Sequence, residues 1–238
     1  MNQLPIYIPI VFILTTLCTL ILFYIATQKS KKTLYIILIW LTLQAIISKT
    51  LFYTVTHTLP PRMLFLIAPP ILCIFTLFFT RKGTNFINKI NIKYLTYLHT
   101  IRIPIECILF LLFIHKTIPK ILTFEGSNFD ILIGISAPFI AYFGLRKTTL
   151  FNKTTYTKKN LLITWNIIGI LCLGNVVIHG ILSVPTPFQI FGFTQPNIAL
   201  LYFPFSWLPS FIVPTVLLSH LITIKHLLKP PQESNANP

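Results

Sequence analysis

The chain has 238 residues, of which 54% are hydrophobic and only 10% charged, and its formal net charge is +15. A soluble domain normally carries about 25% charged residues, so water is the wrong solvent for most of this surface. The basic excess does not indicate nucleic-acid binding either, because Lys and Arg form short clusters between long apolar runs instead of one basic face. Composition therefore excludes an ordinary soluble domain and predicts an integral membrane protein.

Long apolar runs divide the chain into seven segments, and crossing a bilayer as a helix takes roughly 20 residues. Only a helix pairs its own backbone groups where no water is present. We therefore predict an all-α, polytopic transmembrane bundle of seven helices in one domain, residues 1–229. The helices are placed near residues 5–27, 33–55, 63–80, 94–115, 130–145, 160–183 and 198–228. The polar, proline-containing tail at 230–238 is expected to be disordered.

The first segment is expected to remain as a helix. Met1 to Tyr7 contains no Lys or Arg, so the start of the chain lacks the basic region of a secretory signal.

The connections between segments alternate strictly in positive charge. One set holds fourteen basic residues, namely Lys29, Lys31, Lys32, Arg81, Lys82, Lys89, Lys93, Arg146, Lys147, Lys153, Lys158, Lys159, Lys225 and Lys229. The opposite set holds three, namely Arg62, Lys116 and Lys120. Because Lys and Arg accumulate in cytoplasmic loops, this predicts an N-terminus outside, a C-terminus in the cytoplasm, and insertion in the cytoplasmic (inner) membrane.

The fourth segment carries three ionisable residues on one helical face, His99, Arg102 and Glu106. Glu106 lies near the midpoint, where a charge costs about 2.5–3.5 kcal/mol on insertion scales and normally has a partner. Arg102, one turn away, is the predicted partner. Two interpretations stay open. One is a proton or ion relay, or a charge that binds a solute. The other is a neutralised pair that orients the bundle, or a helix that begins only near Pro104.

Asn166 and His220, in the sixth and seventh segments, lie at nearly the same depth as His99, counted at 1.5 Å per residue from the cytoplasmic ends. A polar inner site is therefore predicted from the residues His99, Arg102, Glu106, Asn166 and His220. The alternative is that the Asn and His side chains only form hydrogen bonds between helices, for modest gain.

A second polar group is predicted near the outer surface, at Glu125, Asp130, Asn175 and His179. The run from Phe124 to Asp130 is rich in oxygen ligands, but it lacks the alternating spacing of a calcium loop. Asn128 or Asp130 is instead expected to accept hydrogen bonds from the first free amides of the fifth helix.

Small residues and prolines predict the shape of individual helices. The fifth segment repeats small residues at Gly134, Ala137, Ala141 and Gly144, a stripe that lets another helix approach closely. Internal prolines bend helices, and they are found in the third segment (Pro69, Pro70), the fifth (Pro138) and the seventh (Pro204, Pro209, Pro214). Broken helices line substrate sites in transporters, although prolines occur in membrane helices of every function.

No catalytic, cofactor or metal site is predicted. The four cysteines, Cys18, Cys73, Cys107 and Cys172, fall within apolar runs without the spacing of a zinc site, and we expect them to be small buried residues. Neither a HExxH nor a GxSxG motif is present, which argues against an enzyme acting on lipids.

From His99 to Leu228 the chain resembles a group of uncharacterised bacterial multi-pass inner-membrane proteins. The resemblance is carried by Phe124-Glu125-Gly126-Ser127-Asn128-Phe129-Asp130-Ile131-Leu132, Ala137-Pro138, Pro185-Thr186-Pro187-Phe188 and Tyr202-Phe203-Pro204-Phe205. It implies membrane insertion and no particular activity.

The prediction for function is a transporter or permease-like protein for a small polar solute or ion. The alternative is a membrane-embedded sensor or an assembly subunit of a larger membrane complex. The predicted partners are the lipid bilayer, the solute or ion, and further copies or subunits in the membrane.

Overall fold

The computed structural model describes residues 4–150, 153–229 and 232–233. The principal helices are α1 (Tyr7–Ala26), α2 (Lys31–Lys49), α3 (Leu64–Phe79), α4 (Arg81–Lys89), α5 (Ile92–Ile114), α6 (Asp130–Gly144), α7 (Lys159–Leu182) and α8 (Leu208–Leu228). Short 3-10 turns lie at Phe52–Thr54, Lys120–Leu122 and Ala199–Leu201.

Three short strands accompany the helices, β1 (Lys147–Leu150), β2 (Lys153–Tyr156) and β3 (Gln232–Glu233), paired antiparallel in the order β1-β2-β3. The helical class is confirmed for the bundle, and this small sheet is the exception. Apart from Gln232 and Glu233, the tail predicted at 230–238 lies outside the described residues.

Each of the seven predicted apolar segments contains a helix. Among the described residues, five helices are long and apolar enough to cross a membrane, and a sixth span results if α3 and α4 are counted together. The remaining helix, α6, is apolar but shorter. Large apolar side chains stand exposed on the outside of the helices, among them Ile39 on α2 and Phe79 on α3. Membrane insertion gives such faces an apolar solvent.

The expectation that all cysteines are buried was wrong. Cys18, Cys73 and Cys107 are exposed and Cys172 is half-buried. They lie on helix faces that the bundle leaves uncovered, and a small apolar side chain is acceptable there because lipid can contact it.

A sharp bend of 91° separates α3 from α4. The Thr80 side chain ends α3 and caps α4, accepting a hydrogen bond from the Gly83 amide at 3.1 Å. Gly83 is required here, because a Cβ at this position would collide with the backbone of Leu77. The short α4 then packs across the end of α8, where His226 contacts the Ile87 carbonyl oxygen at 2.9 Å.

Helix α6 begins inside the bundle, and this explains why the fifth segment is short. Asn128, two residues before α6, binds Glu106, which is eight residues or about 12 Å below the end of α5 at Ile114. The connection between α5 and α6 therefore dips back among the helices. Its side chains at Ile118, Leu122 and Asn128 are buried in protein, the condition under which irregular backbone is tolerated at membrane depth.

The small-residue stripe of α6 forms the predicted close contact. Ala137 and Ala141 are buried, and a Cβ at Gly134 would lie 3.1 Å from the Ile103 amide nitrogen of α5. A Cβ at Gly144 would lie 2.8 Å from a Leu162 methyl carbon of α7. The stripe is thus where α6 packs between α5 and α7.

The seventh predicted segment is only partly helical. It was placed at 198–228, but α8 begins at Leu208, and the preceding residues form a 3-10 turn and an irregular stretch. Pro204 and Pro209 lack the amide hydrogen that a continuing helix needs. The first turn of α8, Leu208–Ile212, is a π-helix, as is Ile140–Gly144, which follows Pro138 in α6. Each π segment therefore accompanies a proline.

Candidate functional site

The five residues of the predicted inner site are all buried: His99, Arg102, Glu106, Asn166 and His220. They come from α5, α7 and α8, and α6 adds Asp130. Arg102 lies ten residues from the start of α5, or about 15 Å along the helix, which is half the thickness of a hydrocarbon core. We call the set His99, Arg102, Glu106, Asn128, Asp130, Asn166 and His220 the polar cluster.

Arg102 is the centre of the polar cluster. Its guanidinium forms an ion pair with Asp130 Oδ1 at 3.1 Å. A second nitrogen donates to the Gly169 carbonyl oxygen at 3.3 Å and contacts His220 Nε2 at 3.1 Å. Among the ion pairs of the described residues, the partner of Arg102 is thus Asp130 and not Glu106. The guanidinium reaches across to the start of α6 instead of back along its own helix.

The hydrogen bonds around His220 assign its tautomer. Asn166 donates through Nδ2 to the Leu162 carbonyl oxygen at 2.8 Å, which leaves Asn166 Oδ1 as an acceptor for His220 Nδ1, also at 2.8 Å. Nδ1 must then carry the proton, and Nε2 accepts from Arg102. His220 is accordingly neutral, since a second ring proton would point at the Arg102 guanidinium.

His99 is the member of the polar cluster without hydrogen bonds. Its ring stacks on His220 with 3.9 Å between centroids and meets the edge of Trp165 at 5.4 Å. The ring is fully buried, and neither nitrogen has a partner among the described residues. A buried polar atom of this kind costs about 1–3 kcal/mol if nothing binds it. His99 is therefore a place in the cluster where a water or solute atom would be stabilised, and the unpartnered Nε of Arg102 is another.

Glu106 is held by Asn128 rather than by a cation. Asn128 Nδ2 donates to Glu106 Oε2 at 2.6 Å and to the Leu122 carbonyl oxygen at 3.0 Å. Asn128 Oδ1 accepts from the Asp130 amide at 2.9 Å, which confirms that this side chain binds the first free amide of α6. One asparagine thus connects Glu106 on α5 to Asp130 on α6.

The sequence did not predict two of these contacts. One is the hydrogen bond from Asn128 to Glu106, and the other is the close packing of Gly169 against the His220 ring. A Cβ at Gly169 would lie 2.5 Å from His220 Nε2, so only glycine fits there, and its carbonyl oxygen accepts from Arg102. The signal for Gly169 was its place three residues after Asn166, on the same helical face.

The contacts of the described residues divide the predicted outer set into three parts. Asp130 belongs to the polar cluster, and Glu125 makes an exposed ion pair with Lys120 at 3.7 Å. Asn175 donates to the Ser127 carbonyl oxygen at 2.6 Å, and His179 Nδ1 contacts the Asn175 carbonyl oxygen at 2.8 Å. In the part of the chain that the structure describes, no three His, Cys, Asp or Glu residues are grouped to hold a metal ion.

A cavity of about 210 Å³ lies beside the polar cluster, between α3, α5, α7 and α8. Its walls are almost wholly apolar, and they include Gly174 and Gly180 of α7 and Asn197. We call it the apolar cavity. A second cavity, of about 390 Å³, lies between α2 and α3 beside Tyr53. The Tyr53 hydroxyl donates a hydrogen bond to Gln44 Oε1, and burial raises the pKa of Tyr53 to about 12. Neither lining includes a polar-cluster residue.

Comparison with known proteins adds a family but no activity. A family model described as a domain of unknown function (DUF8737) matches residues 59–228. No curated protein and no solved structure matches the chain. The family match includes the region of predicted resemblance, and it extends N-terminal to His99.

Proposed function

The chain belongs to the DUF8737 family, a domain of unknown function, and we propose that it is a transporter-type membrane protein that passes a small polar solute or ion by way of the polar cluster. The ion that we propose is the proton. The observation that carries this proposal is His99, a fully buried imidazole with two unpartnered nitrogens beside a neutral His220.

The proposed setting is a bundle of seven membrane-crossing helices in the cytoplasmic membrane of a bacterium, with the N-terminus outside. The fourteen basic residues on one side against three on the other support this orientation. At about 15 Å from the cytoplasmic end of α5, the polar cluster then lies near the middle of the membrane. Ionisable residues at that depth usually mark a proton or solute path.

Three features of the polar cluster suit proton-coupled passage. Arg102 keeps its charge at every physiological pH and so provides a fixed cation. Glu106 has an amide partner instead of a counter-ion, so it can be neutral or charged without breaking an ion pair. Helix α6 starts inside the bundle, and discontinuous helices with interior ends form the solute sites of several transporter folds.

Proton flux into proteoliposomes tests the proposal. Vesicles that contain a pH-sensitive dye are energised with a potassium diffusion potential, and the rate of acidification is compared between the parent protein and Glu106→Gln. Glu125→Gln is the matched control, because Glu125 is an acid on the exposed surface. The proposal expects flux in the parent and in Glu125→Gln, and a loss of about tenfold or more in Glu106→Gln. Equal flux in all three proteins removes Glu106 from the mechanism.

A second candidate function is an assembly subunit of a membrane complex. One observation favours it: the Arg102 ion pair is already satisfied within the chain, and the lining of neither described cavity reaches it. A closed pair of this kind also orients a bundle. Purification from native membranes separates the two candidates, because a stoichiometric partner together with no intrinsic proton flux supports the subunit.

A further inference from the structure

The apolar cavity has two kinds of wall. From α3 and α8 it receives branched aliphatic side chains and the rings of Pro209 and Pro214. From α7 it receives further aliphatic side chains, such as Leu173 and Val177, together with Gly174 and Gly180, which have no side chains to fill the space. A Cβ added at Gly174 would meet no atom within 4 Å, so the open volume begins directly at the backbone of α7.

Asn197 is the one polar residue among those that line the apolar cavity. Asn197 is buried and donates through Nδ2 to the Gly180 carbonyl oxygen at 2.9 Å, near the C-terminal end of α7. This bond fixes which amide atom is the oxygen. Asn197 Oδ1 is buried and has no hydrogen-bond partner among the described residues. An amide oxygen only accepts, so whatever satisfies it must carry an O–H or N–H donor.

We propose that the apolar cavity binds one alkyl chain of a membrane lipid whose hydroxyl group donates to Asn197 Oδ1. The walls exclude a polar solute, since they offer it no hydrogen bonds along the length of the cavity. The cavity lies between helices of membrane-spanning length, where the surrounding solvent is lipid. This site is separate from the polar cluster and goes beyond the proposed transport function.

The expected pose follows from the two ends of the cavity. The hydroxyl lies at Asn197, next to the last turns of α7, and the chain extends past Gly174 toward Leu109 and Ile170. In the proposed orientation the hydroxyl end faces the outer membrane surface, where a lipid headgroup would sit. Glycine at position 174 leaves the room that the chain occupies.

Photolabelling with a diazirine-bearing long-chain alcohol tests this site in phosphatidylcholine proteoliposomes. The label on each peptide is measured by mass spectrometry, for the parent, for Gly174→Leu and for Ile178→Phe. Ile178 lies on the exposed face of α7, so Ile178→Phe adds bulk to the same helix outside the cavity. We expect saturable labelling of cavity-lining peptides in the parent and in Ile178→Phe, and at least about a fivefold loss in Gly174→Leu. Equal labelling of all three proteins overturns the site.

The methyl ether of the same probe tests the donor on the unmodified protein. It has the same chain but no O–H, so its labelling of the cavity should be about fivefold weaker, the effect of one net hydrogen bond. If ether and alcohol label the cavity equally, a hydroxyl bound to Asn197 is ruled out. Neither comparison depends on proton flux, so the outcome is independent of the proposed transport function.

Discussion

Helix α7 has two glycines five residues apart that lie in opposite surroundings. Gly169 lies under the His220 ring, where not even a methyl group fits, and Gly174 borders the apolar cavity, where a methyl group meets nothing. The polar cluster is therefore closely packed where α7 meets His220, whereas the neighbouring apolar region is left open at Gly174. The difference indicates that glycine is used in one place to bring a carbonyl oxygen to Arg102, and in the other to leave room.

The largest effect is expected from Arg102→Met, which keeps the length of the side chain and removes its charge. Asp130 is left as an uncompensated buried carboxylate, at a cost of about 3–5 kcal/mol in the free energy of unfolding. Thermal unfolding in detergent measures this cost.

Two further variants serve as controls for Arg102→Met. Lys120→Met breaks the exposed pair with Glu125 and should change stability by less than about 1 kcal/mol. The double variant Arg102→Met with Asp130→Leu should recover most of the lost stability, because it removes both charges. A double variant as unstable as Arg102→Met would show that Arg102 acts through something other than its ion pair.

Gly169→Ala tests the close packing of α7 against the His220 ring. The added methyl group must displace His220 or shift α7 from α8, so we expect a loss of about 1–3 kcal/mol in stability. In the proteoliposome assay the same variant should also reduce proton flux. A Gly169→Ala protein with unchanged stability would mean that the His220 ring does not lie against α7.

Asn166→Leu asks whether the tautomer of His220 depends on Asn166. The substitution leaves the His220 Nδ1 proton without an acceptor, at a cost of about 1–2 kcal/mol. Asn160→Leu, in the exposed first turn of the same helix, is the control and should be nearly neutral. Equal unfolding temperatures for the two variants would contradict the assigned hydrogen bond.

Gly174→Ala tests whether the apolar cavity is open beside α7. It should have the smallest effect on stability, and it should stabilise the protein, whereas Gly169→Ala destabilises it. Alanine is favoured over glycine within a helix by about 1 kcal/mol, and no atom stands in its way. We expect a small rise in the unfolding temperature. A fall comparable with that of Gly169→Ala would show that the cavity is not open.

Much of the bundle was predictable because apolar runs must become helices in lipid, and each predicted segment contains one. The polar cluster was predictable in part: counting residues placed His99, Asn166 and His220 at one depth. The pairing of Arg102 with Asp130 was not predictable from the sequence. Spacing along a helix reveals neighbours on the same helix, such as Glu106, but it does not reveal neighbours on another element. Asp130 reaches Arg102 only because the chain dips inward at Asn128, and irregular backbone of this kind leaves no periodic pattern.

The predicted start of α8, at residue 198, was wrong for a related reason. Hydropathy cannot separate an apolar helix from an apolar loop that packs against protein, and the residues from 198 to 207 are of the second kind. Their backbone is satisfied by contacts with distant elements, such as the bond from the Ala199 amide to the Thr117 carbonyl oxygen at 3.2 Å. Only the folded chain brings such partners together.

Thiol labelling of His99→Cys tests directly whether the polar cluster lies on a path open to solute. The labelling is done in a background where Cys18, Cys73, Cys107 and Cys172 are serine. A small water-soluble thiol reagent is applied to each side of the membrane in turn. Leu95→Cys, one turn earlier on α5 and equally buried, is the control. We expect His99→Cys to be labelled from at least one side and Leu95→Cys to resist the reagent. A His99→Cys protein that resists the reagent from both sides would show that no such path reaches the polar cluster.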